Sequence, residues 1–456
     1  MAVANDKSGS TSKSGHEQAS TVIMTCDTHI GPRMVEDLRP HCPQKYLTEF
    51  DAFVEELQPV QEWWKGAGVP DADSPGHYDS AARQAVIDGD KVAAEVLFQF
   101  SFNGELIPFV PSFLHSDSPS NLELAHVGQH IYNAWLADFC NALPGRRVGL
   151  AHIPLWDIEA SVKEVEWAAA AGLRGVNFPG MRESVVPYDD PSYEPLWAAC
   201  AANDMPLTTH SGANSPSSMS NQSVLMLEVG GSLSRRAIHR MIFNKAFDRH
   251  PNLKLVMTEQ NGSWQKALMD EMDSVYRATV RHNSSPDTGA LTRNAAKGKT
   301  VTDPKNWKGY AVNMKRQEPL DRYPSEYFGT NIFVGASFMA HFEALAAIKH
   351  GFSEAMMWGS DYPHPEGTRN MNDTDFETSQ QFRSMRMTFE GLPEDEVRAM
   401  AGLNGIRCYG LDAKQLAGVA ESLGAPTPAQ LAEPPVGILH GSDGTGGHAF
   451  RTEQWN

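Results

Sequence analysis

Asp27 and His29 stand two residues apart in the stretch TCDTHIG, just after the apolar pair Val22-Ile23. Alternate residues of a strand point to one side, so a carboxylate and an imidazole can leave the C-terminal end of one strand together. That end is where parallel barrels assemble their sites. Three further apolar segments finish on groups of the same kind: His210 in MPLTTHSG, Glu259 in LKLVMTE and Asp361 in AMMWGSD. Two imidazoles with carboxylates suit zinc, and manganese tolerates the same donors. A cation held in this way acidifies water or polarises a substrate oxygen. The chain has 17 histidines, most of which must serve on the surface or in hydrogen bonds, and Asp27 and Asp361 have an alternative use as turn caps. Their shared position at strand ends favours the metal reading.

Those ends need a scaffold, and eight apolar segments occur in order: 21–29, 91–98, 147–154, 172–179, 205–212, 253–259, 331–337 and 355–361. Their alternation is imperfect, as expected of strands covered on both faces. Helical patterns lie between them in ASVKEVEWAAAAG, YEPLWAACAAND, SRRAIHRMIFNKAFDRHP and HFEALAAIKHGF, several closed by Gly, Asn or Pro. Eight such units predict an α/β fold, a distorted (β/α)8 TIM barrel with long loop insertions and a C-terminal extension; an open doubly wound sheet is the alternative. The boundaries expected are a disordered leader over 1–20, a barrel over 21–410 and an extension over 411–456, whose Pro-rich second half reads as an extended tail. Residues between the first two strands, and the polar stretch 283–327, leave from strand C-terminal ends and are placed to roof a pocket.

The bulk composition narrows the partners. A formal charge of −18 argues against nucleic acid and anionic membrane surfaces. Five cysteines without CxxC spacing indicate neither a disulfide framework nor a thiolate metal site, and a reducing, cytoplasmic location is the simplest expectation. No apolar run approaches the length of a bilayer span.

The ordered series CDTH, AWLADFCNALPGRRVGLAHIPL, GLRGVNFP, YDDPSYEPLWAACAANDMPLTTHSG, FDRHPNLKLVMTEQNGSW, PSEYF, MMWGSDYPHPEG and NGIRCYG resembles the metal-dependent amidohydrolase superfamily. The resemblance is to the amidohydrolase-related branch that includes aminocarboxymuconate semialdehyde decarboxylase and the hydroxybenzoate decarboxylases. It implies a distorted barrel with one divalent ion, zinc first and manganese second, held by Asp27, His29, His210 and Asp361. It also implies a homo-oligomer, with a dimer as the first expectation. Asp27 replaces the first histidine of the usual HxH pair. Where the decarboxylases place a sixth-strand catalytic histidine, Glu259 occupies the approximate position.

This substitution shapes the functional expectation. Glutamate ionises near 4.3, so it protonates a carbanion-like centre near neutral pH only if its surroundings raise that value. Hydrolysis of an amide, ester or carbon–carbon bond in a small carbonyl compound, with Asp361 or Glu259 moving protons, is therefore the first expectation. Non-oxidative decarboxylation of an aromatic or unsaturated acid is the second. A non-catalytic binding barrel and an iron oxygenase are more distant alternatives. His364 joins Asp361 and Glu259 as a catalytic candidate, while His152, Trp264 and Glu366 are candidates for the pocket wall. Glu259 alternatively binds a helix N-terminus or an arginine and does no chemistry, and His364 and Glu366 alternatively hold a rigid Pro-rich turn.

Overall fold

The computed structural model describes residues 19–435 apart from 69–71, 111–120, 181–185, 212–234, 284–316, 338, 365–366 and 371–372. The leader reading, the polar stretch 284–316, Glu366 and the last 21 residues therefore lie outside the described residues, apart from Ala19 and Ser20.

Eight strands run β1 (Ile23–Ile30), β2 (Val92–Gln99), β3 (Arg147–His152), β4 (Gly175–Asn177), β5 (Leu207–His210), β6 (Leu255–Thr258), β7 (Ile332–Ser337) and β8 (Met356–Gly359). They pair in chain order and in parallel. Each falls inside or within a residue of an expected segment, and every strand residue is buried. Strands covered on both faces have no polar side to advertise, which explains their weak alternation.

Helices follow the strands. After β1 comes the long insertion, with α1 (Leu47–Gly66) and α2 (Ser80–Gly89). Next are α3 (Leu122–Asn141), α4 (Ile158–Ala170) and α5 (Glu194–Ala202). Asp79, Asn121 and Asp157 cap α2, α3 and α4 by accepting from Ala82, Leu124 and Ala160. The single helix expected over 234–251 is two, α6 (Arg236–Phe243) and α7 (Ala246–Arg249). Lys245, in the left-handed region at φ 62°, breaks it. Then come α8 (Trp264–Asn283), α9 (His341–His350) and α10 (Gln380–Phe389). No helix among the described residues is long and apolar enough to cross a membrane.

The chain after β8 closes the barrel from below. Ile406, Cys408 and Tyr409 of α11 (Asn404–Tyr409), with Leu416 and Ala420 of α12 (Ala413–Leu423), share one buried cluster with residues of β1, β2, β3, β6, β7 and β8. The segment read as an extended tail begins with a short helix, α13 (Pro428–Leu431). Thr427 caps it, Pro428 starts it and buried Leu431 anchors it. The neighbouring Pro426 carbonyl accepts the Thr21 amide at 2.8 Å, which ties this region to the start of β1.

Candidate metal centre

Strands β1 and β8 close the barrel at the site itself. The Asp361 amide donates to the Asp27 carbonyl at 2.9 Å, and the His29 amide donates to the Tyr362 carbonyl at 2.7 Å. These two bonds bring together groups more than 330 residues apart in the chain. The pairing of β1 with β2 is irregular between Thr25 and Thr28, yet Asp27 and His29 still converge.

His29 Nε2 lies 3.4 Å from Asp27 Oδ1 and 3.2 Å from Asp361 Oδ1, and His210 Nε2 lies 3.5 Å from Asp27 Oδ1. A tetrahedral ion with bonds near 2.1 Å has donor–donor edges of about 3.4 Å. The spacing of Asp27, His29 and His210 therefore fits a divalent cation, while Asp361 groups with His29 and His364 on the adjoining side. Hydrogen bonding points the same way. His29 Nδ1–H donates to the Gln99 carbonyl and His210 Nδ1–H to the Ser211 carbonyl, both at 2.8 Å. Each bond turns Nε2 toward the shared space, the arrangement usual for metal-ligating histidines. There Asp27 Oδ1, His29 Nε2, His210 Nε2 and both Asp361 carboxylate oxygens are buried with no hydrogen-bond partner. Buried polar atoms are rarely left so unless something polar occupies the gap between them.

The charges agree. Burial acts to raise the Asp27 pKa, but His210 and His29 outweigh it and hold the carboxyl well below its ordinary value. Burial likewise opposes charge on the histidines. Asp27 and Asp361 nevertheless lift His29 to about 10, and Asp27 with Glu259 lifts His210 to about 9. Burial would also raise Asp361, but His364 and His29 prevail and lower it. The cavity is built to hold positive charge, which protons supply when no cation does.

Supporting residues orient the donors. Ser337, at the end of β7, donates to Asp27 Oδ2 at 2.5 Å and leaves Oδ1 facing inward. Gly359 makes room for this pair, since a Cβ there would lie 2.9 Å from Ser337 Oγ and 3.0 Å from Asp27 Cβ. Sequence reading missed both; a serine closing the apolar run NIFVGAS was the available signal. Phe98 forms a wall, its ring centroid 5.7 Å from that of His29 and 4.8 Å from that of His210.

The remaining candidates divide. Glu259 contacts His210 Nδ1 at 3.6 Å and accepts a short hydrogen bond from Ser211. It therefore meets the edge of His210 opposite the inward-facing Nε2. Its φ of 55° is strained for a glutamate. Asp361 also has a positive φ, 58°. His364 is buried beside Asp361, with Nδ1 3.1 Å from Oδ1. His152 ends β3, pairs with Asn177 at 3.0 Å and is pushed by burial down to about 3. Trp264 packs against Arg235 and Phe328; these ring contacts do not include the metal group.

A model of the family described as Amidohydrolase matches residues 120–411, well over half of the chain. The chain belongs to the amidohydrolase family. It is a metal-dependent enzyme of that superfamily. No curated protein matches the sequence. Among solved structures, the 5-carboxyvanillate decarboxylase of Sphingomonas paucimobilis superposes with a TM-score of 0.54 at 19% identity, over 86% of this chain and 100% of that one. An amidohydrolase of Mycobacterium avium subsp. paratuberculosis gives 0.55 at 14% identity, over 86% and 99%. The manganese-bound 5-carboxyvanillate decarboxylase of Novosphingobium aromaticivorans gives 0.55 at 17% identity, over 86% and 97%. At such identities the likeness is one of fold.

Proposed function

We propose that this amidohydrolase-family chain is a metal-dependent, non-oxidative decarboxylase of an aromatic or unsaturated carboxylic acid, which reverses the order of the two readings made from sequence. The observation that carries the proposal is the division of labour around His210. Its Nε2 faces the shared cavity, whereas Glu259, the additional carboxylate that hydrolysis would recruit as a base, engages Nδ1. Asp361 faces the cavity with both carboxylate oxygens lacking hydrogen-bond partners, and Phe98 supplies an aromatic wall. Several fold relatives are decarboxylases of aromatic acids by name.

Asp27, His29, His210 and Asp361 would hold the cation, and Mn2+ is the first ion to test because two fold relatives, one of them in two structures, carry manganese; Zn2+ is the second. When bound, the ion anchors anionic substrate oxygens by Lewis acidity. Asp361, a carboxylate at rest, takes a proton from water and passes it to the carbon that bears the substrate carboxylate. The carbon–carbon bond then breaks, its electron pair returns to the unsaturated system, and carbon dioxide leaves. The Asp361 carboxylate is regenerated, and the hydroxide left by the proton transfer is neutralised by solvent.

The test is a panel of hydroxylated benzoates and unsaturated acids given to the Mn2+-loaded enzyme in 18O-labelled water. Release of carbon dioxide, with the remaining product free of 18O, is expected. An amide, ester or diketone panel that yields 18O-labelled acids, with no carbon dioxide from the carboxylates, would return the assignment to hydrolysis.

A further inference from the structure

Apart from the metal donors, the barrel interior carries a polar pair at the ends of β3 and β4. Val148 and Leu150 of β3 belong to the buried cluster inside the barrel, so His152, two residues beyond Leu150, points inward as well. A Cβ on Gly175 of β4 would lie 2.6 Å from Leu150 and 3.6 Å from Tyr409, both members of that cluster. Asn177, two residues further along β4, is therefore also inward, one level nearer the mouth. The two residues are register partners, and β4 stands four strands from β8 in the ring, across the mouth from Asp361.

Both side chains are held in place. Asn177 Nδ2–H donates to His152 Nε2 at 3.0 Å, so that nitrogen offers a lone pair and the ring is neutral, in keeping with the burial that pushes it down to about 3. The Tyr132 ring meets the His152 ring edge to face, with centroids 5.2 Å apart. The pairing of β2 with β3 stops at Leu97 and Gly149. Beyond it Asn133 of α3 supplies the backbone contacts a strand would have made, accepting from the His152 amide and donating to the His152 carbonyl, both at 2.8 Å. The Asn177 amide is thus fixed, with Nδ2 committed to His152 and Oδ1 buried with no hydrogen-bond partner. The residue is only 3% exposed, and a carbonyl so placed costs free energy until a donor reaches it.

We propose that Asn177 is a specificity-determining residue: its Oδ1 accepts a hydrogen bond from a hydroxyl or amine of the substrate, at a position remote from the group that meets the cation. The inference rests on the proposed carboxylic acid substrate and narrows it to an acid that carries a neutral donor besides its carboxylate. It does not depend on whether carbon dioxide is released, because it is read from binding.

The probes are 3- and 4-hydroxybenzoate and their near-isosteres 3- and 4-methylbenzoate, titrated calorimetrically into full-length, Mn2+-loaded wild type and Asn177→Leu, with melting temperatures recorded alongside. In wild type the hydroxyl compound is expected to bind roughly tenfold tighter or more at one of the two ring positions, since a methyl group leaves Oδ1 buried and unpaired. In Asn177→Leu that ratio should fall to within about threefold or invert, whereas a purely structural role would weaken all four acids together and leave the ratio unchanged. A crystal structure of wild type with the preferred acid should place its hydroxyl within hydrogen-bonding distance of Oδ1, a readout that stands even if the variant does not fold. No hydroxyl preference in wild type, a preference that survives in Asn177→Leu, or a hydroxyl seated elsewhere would overturn the inference and leave the carboxylic acid reading intact. Failure of all four acids to bind protein that holds Mn2+ would overturn it together with the aromatic-acid reading on which it rests.

Discussion

Cation binding at this centre should expel protons, and the structure sets how many. In the metal-free protein His29 is held at about 10, burial being overcome by Asp27 and Asp361, and His210 at about 9, burial being overcome by Asp27 and Glu259. Both rings are therefore charged at neutral pH, and each must become neutral before Nε2 can offer a lone pair. Binding at pH 7.5 should release roughly two protons, and apparent affinity should rise about 100-fold per pH unit between about pH 6.5 and 8.5. The same shifts stabilise the metal-free fold. Because the folded values exceed the ordinary 6.5, that contribution is present in full below about pH 6.5 and is lost as pH rises through 9 to 10. The assay is Mn2+ titration in a chelator buffer at three pH values, with calorimetry in two buffers of different ionisation enthalpy to count protons. Melts of the stripped protein should show its Tm falling toward pH 10, with a smaller fall once Mn2+ is bound. An affinity that changes less than tenfold per pH unit, with under one proton released, would refute the claim that both imidazoles are charged in the metal-free protein.

Two substitutions probe the supports. Gly359→Ala places a methyl group against Asp27 and Ser337, so a stability loss of about 1–3 kcal/mol should accompany weaker Mn2+ binding; unchanged melting and chelator competition would show that the site has slack. Arg83→Met removes the partner that contacts Glu95 Oε2 through Nε at 2.9 Å and Nη2 at 2.8 Å, both side chains being fully buried, and that also donates from Nη1 to the His29 carbonyl. Leaving Glu95 poorly compensated should cost about 3–5 kcal/mol in urea unfolding, and a loss under about 1 kcal/mol would show that Arg147 and Thr28 compensate.

What the sequence by itself determined was the scaffold. Eight apolar runs, each ending near a polar group or a turn, were legible because a strand buried on both faces needs a short continuous apolar segment, and a strand's end is a local property. The placement of Asp27, His29, His210 and Asp361 at strand ends followed from that. Tertiary structure decided how those groups face one another. The serine that orients Asp27 is 310 residues away, and the hydrogen bonds that join β1 to β8 exist only once the barrel closes. Glu259 sat at a strand end like the others, yet a left-handed φ and Ser211 carried its carboxylate to the outer edge of His210. His364 read as one of several polar residues in a Pro-rich turn, and only folding laid it between His29 and Phe102. Periodicity along a chain records which residues must leave water. The direction in which a buried polar atom points depends on backbone and side-chain torsions set by distant neighbours, and no local pattern carries that information.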